Sequence, residues 1–158
     1  MTVQRFDVAG IGLNATDTVL IVPHLPPYSG KAAYTGEMLS PGGQVASSLV
    51  ACQKLGLRTT YIGTVGDDER ARIQIESLLQ AGVNLDYLQQ RPGCASQSAY
   101  ILVDGETGER TVFWRRDECL RINPEEITAE KITCARLLHT DGHDTAAVAH
   151  GVQLSRKA

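Results

Sequence analysis

Short apolar runs and helically spaced apolar positions alternate along this chain, and their order predicts a layered α/β protein. Residues 5–11 read as a buried strand: Phe6, Val8 and Ile11 are apolar, and Gly10 and Gly12 mark its end. Residues 18–22 form a second β-rich run, stopped by Pro23 and by Pro26-Pro27. Residues 28–31 are turn-like, and residues 33–39 are a candidate further strand. Ser40-Pro41-Gly42-Gly43 reads as a sharp break. Beyond it, Val45, Leu49 and Cys52 recur at helical spacing across residues 44–55, and Gly56 is placed to end the helix. Residues 59–65 are β-branched, and Gly66-Asp67-Asp68 leads into a helix through Ile75, Leu78 and Leu79 that Gly82 closes. Strand, helix, strand, helix in this order predicts a mainly parallel sheet.

The pattern then changes. Residues 97–103 and 110–114 are two strands around an acidic, glycine-containing turn at residues 104–109, which is hairpin chemistry. Asn123-Pro124-Glu125-Glu126 has the cap, the proline and the glutamate of a helix start. Residues 137–140 are a short strand, and a helix is predicted from Asp144 onward. Two β-rich inserts, about 17–40 and 96–117, therefore interrupt an α/β core of about 1–16, 41–95 and 118–158. There is no internal repeat.

Composition narrows the class. The chain has 158 residues, 42% hydrophobic and 21% charged, enough to build one core. Its net charge of −3 argues against a nucleic-acid or anionic-membrane partner. No apolar run reaches the roughly 20 residues that cross a bilayer. The opening residues lack a signal-peptide pattern, so a cytoplasmic protein is expected. The four cysteines, Cys52, Cys94, Cys119 and Cys134, form no C-x-x-C pair; in a reducing compartment four free thiols are expected.

Several segments could carry chemistry. Gly10-Ile11-Gly12-Leu13-Asn14-Ala15 matches a loose dinucleotide fingerprint, but that site needs a helix opening at the glycines. Residues 16–22 leave no room for one, and a tight turn is the simpler reading. Pro41-Gly42-Gly43 precedes a helix, where missing Cβ atoms and helix-terminal amides suit hydroxyls or an anion; it is not a Walker A loop. Asp67 and Asp68 read first as a helix cap. His139, Asp141, His143 and Asp144 invite a metal, but Gly142 breaks the helix that would align the histidines. A strand end with Asp141 or His143 facing a cleft, and Asp144 as a cap, fits better, and no metal site is assigned. Arg115 and Arg116 beside Trp114 could meet a phosphate or carboxylate, or form salt bridges at a solvated strand end.

In this order the pieces resemble the ribokinase-like, PfkB-type carbohydrate kinases. The resemblance rests on Gly10-x-Gly12 followed by Asp17, on the run from Pro41 to Asp68, on Ser98–Asp117 and on Leu137–Asp144. It covers essentially the whole chain, but only the N-terminal half of a family member. It implies an α/β ribokinase-like fold, a partly parallel sheet flanked by helices, with a small β lid from the two inserts. It also implies phosphoryl transfer from ATP, with Mg²⁺, to a sugar hydroxyl. By resemblance Asp17 would bind substrate hydroxyls with Asn14 nearby, and Gly42 and Gly43 would let the backbone approach the sugar. Ser47 stands where the family commonly places an Asn, and a hydroxyl has shorter reach and fewer donors. Arg115, Arg116 and Asp141 are the candidate contacts for a charged substrate. The lid often pairs subunits, which makes a homodimer an expectation.

The family's second signature, a G-A-G-D-type stretch carrying the catalytic Asp and the phosphate cradle, is absent from these residues. The expectation is therefore a substrate-binding half of a sugar kinase, inactive alone. A non-catalytic sugar-binding or dimerisation module, or less well a Rossmann-type NAD-binding protein, are the rivals.

Overall fold

Two four-stranded sheets organise the computed structural model, which describes residues 5–157. The chain order is β1 (Phe6–Ile11), β2 (Ala15–Val22), β3 (Gly36–Gly42), α1 (Gln44–Lys54), β4 (Thr59–Val65), α2 (Glu69–Gln80), β5 (Asn84–Gln90), β6 (Ser98–Asp104), β7 (Arg110–Arg115), α3 (Ala129–Thr133), β8 (Ala135–Thr140) and α4 (Thr145–Ser155). The first sheet has the order β5-β4-β1-β8 and every pairing in it is parallel. The second has the order β3-β2-β6-β7; β2 and β6 run parallel, and the outer pairs are antiparallel. The strands of the second sheet come from two stretches, residues 15–42 and 98–115. Among the described residues no helix is long and apolar enough to cross a membrane.

β1 shows why the first sheet is buried on both faces. Its even positions pack against α1 in a cluster of Val8, Val45, Leu49, Tyr61, Leu78 and Val83. Its odd positions, Ala9 and Ile11, pack with Ile62, Ile127, Ile132 and Ala147 under α3 and α4. Gly10 is a glycine because α1 crosses there: an added Cβ would lie 2.6 Å from Val45 and 2.8 Å from Leu49. The Gly10–Ala15 segment leads straight into β2 of the other sheet, so no helix opens behind these glycines and no dinucleotide turn forms.

Tyr61 ties the layers together. Its ring covers Gly63, leaving no space for a Cβ there, and its buried hydroxyl donates to the Gly12 carbonyl at 2.7 Å. Burial, reinforced by Asp141, pushes the phenol well above its ordinary pKa, so it stays a neutral donor. Tyr61→Phe leaves that buried carbonyl unpaired and lowers stability by about 1–3 kcal/mol; a shifted urea midpoint with unchanged slope is the expected readout.

The sequence expectations hold for β1, β2, α1, β4, α2, the β6–β7 hairpin, β8 and α4, and need correction elsewhere. The third strand runs over residues 36–42, not 33–39, so Ser40, Pro41 and Gly42 belong to it rather than to a break. β3 pairs on one side only among the described residues, and the missing N–H of Pro41 is tolerated on such an edge. β5 was not anticipated. Asn123–Glu126 does form the expected capping box, with Pro124 at the first position and the Asn123 amide donating to the Glu126 carboxylate at 2.8 Å, but what it opens is a single 3₁₀ turn rather than a longer helix. The four cysteines are not all free: Cys94 and Cys119 are bonded, while Cys52 and Cys134 are thiols. The cause is local geometry. Ala95 donates to Asp117 at 2.8 Å, drawing the loop before β6 against the turn after β7, and the two Cα atoms stand 6.2 Å apart.

Where the two inserts leave the core they meet at one buried side chain. Gln74 of α2 donates through Nε2 to the Thr16 hydroxyl at 3.1 Å and to the Gln97 carbonyl at 2.9 Å. The Thr16 amide donates to the same Gln97 carbonyl at 3.1 Å.

Candidate functional site at the start of α1

β2 and β3 create the site through their register. Ala15 faces Gly42 and Asp17 faces Ser40, so the doubled glycine lies beside the start of β2 and directly before α1. The Asp17 carboxylate occupies the space a Gly42 side chain would need, with Oδ2 2.5 Å from the missing Cβ. Gly43 adopts φ +97°, and a Cβ there would lie 2.5 Å from the Leu13 carbonyl and 2.6 Å from the Asn14 Cα. Both glycines therefore serve the protein first: one admits the carboxylate, the other lets the β1–β2 turn touch the helix entry. The Ala46 amide donates to the Leu13 carbonyl at 3.1 Å and completes that contact.

Asp17, Asn14, Gly42 and Gly43 are thus brought to one place. Asp17 is half-buried, and desolvation raises its pKa above the ordinary carboxyl value. Asn14 is almost wholly buried, and its side-chain Nδ2 has no partner within the protein. A buried donor without a partner is rare and costly. Ser47 lies in the first turn of α1 and is exposed. The arrangement offers an acceptor, a buried donor and a hydroxyl to a small polar molecule.

The other candidates are held by partners. Asp141 accepts from the Leu13 amide at 2.7 Å and from the His143 amide at 2.9 Å, and its carboxylate fills the space beside Gly12. It secures the β1–β2 turn to the end of β8. Asp144 takes a left-handed backbone at the start of α4, but its side chain makes no cap; it receives both terminal nitrogens of Arg116, at 2.9 and 2.5 Å. Arg115 pairs with Asp117 at 2.8 Å. Asp68 caps α2 as expected, through the Ala71 amide at 2.9 Å, and also accepts from Ser96 at 3.0 Å.

A cleft of about 600 Å³ opens beside this region, lined by Trp114, Arg116, Asp117, His143, Asp144 and Thr145 among others. Asp17 pairs with Ala99 and Ala99 with Trp114, so Asp17 and Trp114 share one sheet face two strands apart. In the lining, Asp117, Glu118 and Asp144 outnumber Arg116 and Arg121, so the cleft carries no cationic excess. Among the described residues no three His, Cys, Asp or Glu side chains converge to hold a metal. Sequence reasoning missed Tyr61 and Gln74. A tyrosine in a strand of β-branched residues and a glutamine on an apolar helix face were the available signals.

Comparison with known proteins matches residues 8–156 to the pfkB family carbohydrate kinase. The chain is similar to the ATP-dependent ribose-1-phosphate kinase of Halopiger xanaduensis, 32% identical over 133 residues, covering 83% of this chain and 45% of that protein. It is also similar to the fructokinase of Solanum tuberosum, 24% identical over 131 residues, covering 81% and 41%. Among solved structures, Arabidopsis thaliana ribokinase complexed with ribose and ATP superposes with a TM-score of 0.79 at 15% identity, over 96% of this chain and 50% of that one. Fructokinase from Xylella fastidiosa gives 0.76 at 20% identity, over 98% and 48%. The fold is ribokinase-like, and the chain spans about half the length of the relatives it matches.

Proposed function

The chain belongs to the pfkB family of carbohydrate kinases, and from that premise we propose that it is the sugar-recognising half of an ATP-dependent sugar kinase. The observation that supports this reading is the Asp17 carboxylate against Gly42 and the Asn14 backbone against Gly43 at the start of α1, with the Asn14 side-chain nitrogen buried and unpartnered. Sugar hydroxyls donate to Asp17, and Asn14 Nδ2 donates to a sugar oxygen, which satisfies both groups at once. Ser47 adds a weaker contact from the first turn of α1. ATP with Mg²⁺ supplies the phosphoryl group in such kinases, while these residues hold the accepting hydroxyl. In this reading the chain's share of the chemistry is orientation of the acceptor. The catalytic Asp and phosphate cradle of the family have no counterpart in the sequence, and the chain alone binds without transferring.

The bound sugar is uncharged in this reading, because Arg115 and Arg116 are already committed to Asp117 and Asp144. Two copies would pair through the second sheet, where Val19, Met38, Ile101 and Val112 lie side by side on one face, and Met38 and Val112 are exposed.

Calorimetry of the isolated chain with ribose, fructose and ribose 1-phosphate tests the reading. Heat is expected with a neutral sugar and none with the phosphorylated one, and no ADP forms when ATP is added. Folded protein that binds none of them, or sustained ADP release that Asp17→Ala abolishes, refutes it.

A further inference from the structure

Gln97, the residue immediately before β6, is only 8% exposed, and its side-chain Oε1 is buried without a hydrogen-bond partner among the described residues. Its backbone, by contrast, is held twice. The Gln97 carbonyl accepts from Gln74 Nε2 at 2.9 Å and from the Thr16 amide at 3.1 Å. The main chain is fixed while the amide oxygen of the side chain has no donor, a state that is rare and costly in a native fold.

The ladder places this side chain. Thr16 pairs with Ser98 and Asp17 with Ala99, so one step back Gln97 lies level with Ala15. Alternate residues of a strand share a face. Gln97 and Ala99 of one strand and Ala15 and Asp17 of the other therefore stand on one face of the second sheet, opposite the face on which the Thr16 hydroxyl meets Gln74 of α2. Two residues along a strand cover about 6.6 Å and one strand across about 4.8 Å, so the Cα atoms of Gln97 and Asp17 lie about 8 Å apart. Ala99, next along β6 on that face, adds only a methyl group. Its partner Trp114 lines the cleft of about 600 Å³, so this face opens onto a cavity of small-molecule size. A single monosaccharide against it reaches both side chains. We propose that Gln97 Oε1 accepts a hydrogen bond from a second hydroxyl of the bound sugar, distinct from those held by Asp17, and that this contact makes the site reject sugars lacking that hydroxyl. The proposal rests on the reading of Asp17 and its surroundings as the sugar site. A site with a buried acceptor discriminates strongly against a ligand that cannot donate to it, because the acceptor then stays unpaired.

Calorimetry tests this with ribose, fructose and a series of their monodeoxy analogues, on the wild type, Gln97→Met and Asp17→Ala. At least one deoxy sugar should bind the wild type about tenfold or more weakly than its parent. In Gln97→Met the parent should lose that factor and the gap between parent and analogue should close, while discrimination at the hydroxyls held by Asp17 persists. Methionine keeps the reach of the side chain and removes the unpaired oxygen, so Gln97→Met should melt at or above the wild-type temperature. Parent-sugar affinity that Gln97→Met leaves unchanged overturns the proposal, and so does an equal loss for every sugar in the series. Melting well below the wild type overturns it too, because the amide then holds the fold and not a sugar. If the wild type binds no sugar, the sugar site falls and this contact with it. Loss of binding in Asp17→Ala beside unaltered binding in Gln97→Met refutes the contact alone.

Discussion

Asp17→Ala abolishes sugar binding by the isolated chain, with affinity falling roughly 100-fold or more. A carboxylate accepting two hydroxyls contributes about 1.5–3 kcal/mol per hydrogen bond, and each 1.4 kcal/mol is a factor of ten. The loss is not a folding effect. Burial raises the pKa of Asp17 and no cation among the described residues offsets that, so the charged carboxylate is a liability in the unliganded fold. Its folded-state pKa lies above its unfolded value, so the folded state takes up a proton more readily, and this group's penalty fades as pH falls through the raised pKa. Asp17→Asn should therefore melt later than wild type at neutral pH, and the difference should shrink on acidification. Sugar affinity of the wild type should fall over the same acidic range, because a protonated Asp17 gives up acceptor capacity. Calorimetry and thermal melts of both proteins across pH measure this. Unchanged affinity in Asp17→Ala would remove the site from the start of α1.

Arg116→Ala destabilises the fold by about 3–5 kcal/mol, the cost of stranding one member of a buried ion pair. Only 3% of the Asp144 side chain is exposed, against 17% of Arg116, and the guanidinium also donates to the Leu120 carbonyl at 3.1 Å. Against a typical total of about 5–15 kcal/mol this is a large share. Replacing both partners, as in Arg116→Met with Asp144→Leu, should recover much of the loss, since apolar replacement of a whole buried pair is often neutral or better. Urea denaturation of the single and double variants decides the matter. A single variant within 1 kcal/mol of wild type, the margin of an ordinary surface change, would show that the pair carries little.

The sequence announced those elements whose local chemistry and packing agree. β4 is β-branched and wholly buried, and the α1 and α2 segments end at Gly56 and Gly82, both at positive φ. β5 stayed hidden because Asn84–Gln90 mixes leucines with Asp and Gln, as suits a strand paired on one side only and half-covered along its length. The continuation of β3 through Pro41-Gly42 was masked by residues that usually break structure; only the pairing with β2 reveals that they lie on an edge. At the site, Asp17, Gly42 and Gly43 were legible as a motif. The partners of Arg116 and Asp141 were not, because they lie 28 and 128 residues away and nothing local marks them. The Cys94–Cys119 bond escaped for a related reason: the compartment argument concerns proteins in general, whereas Asp117 and Ala95 set the spacing in this one.

β2 and β6 leave the core side by side, and the amide of Gln74 grips both departures. Two ribbons that share a ladder and are both bonded to α2 do not swing separately. Any tilt of the second sheet about those contacts therefore carries β2, with Asp17 on it, and β6 together.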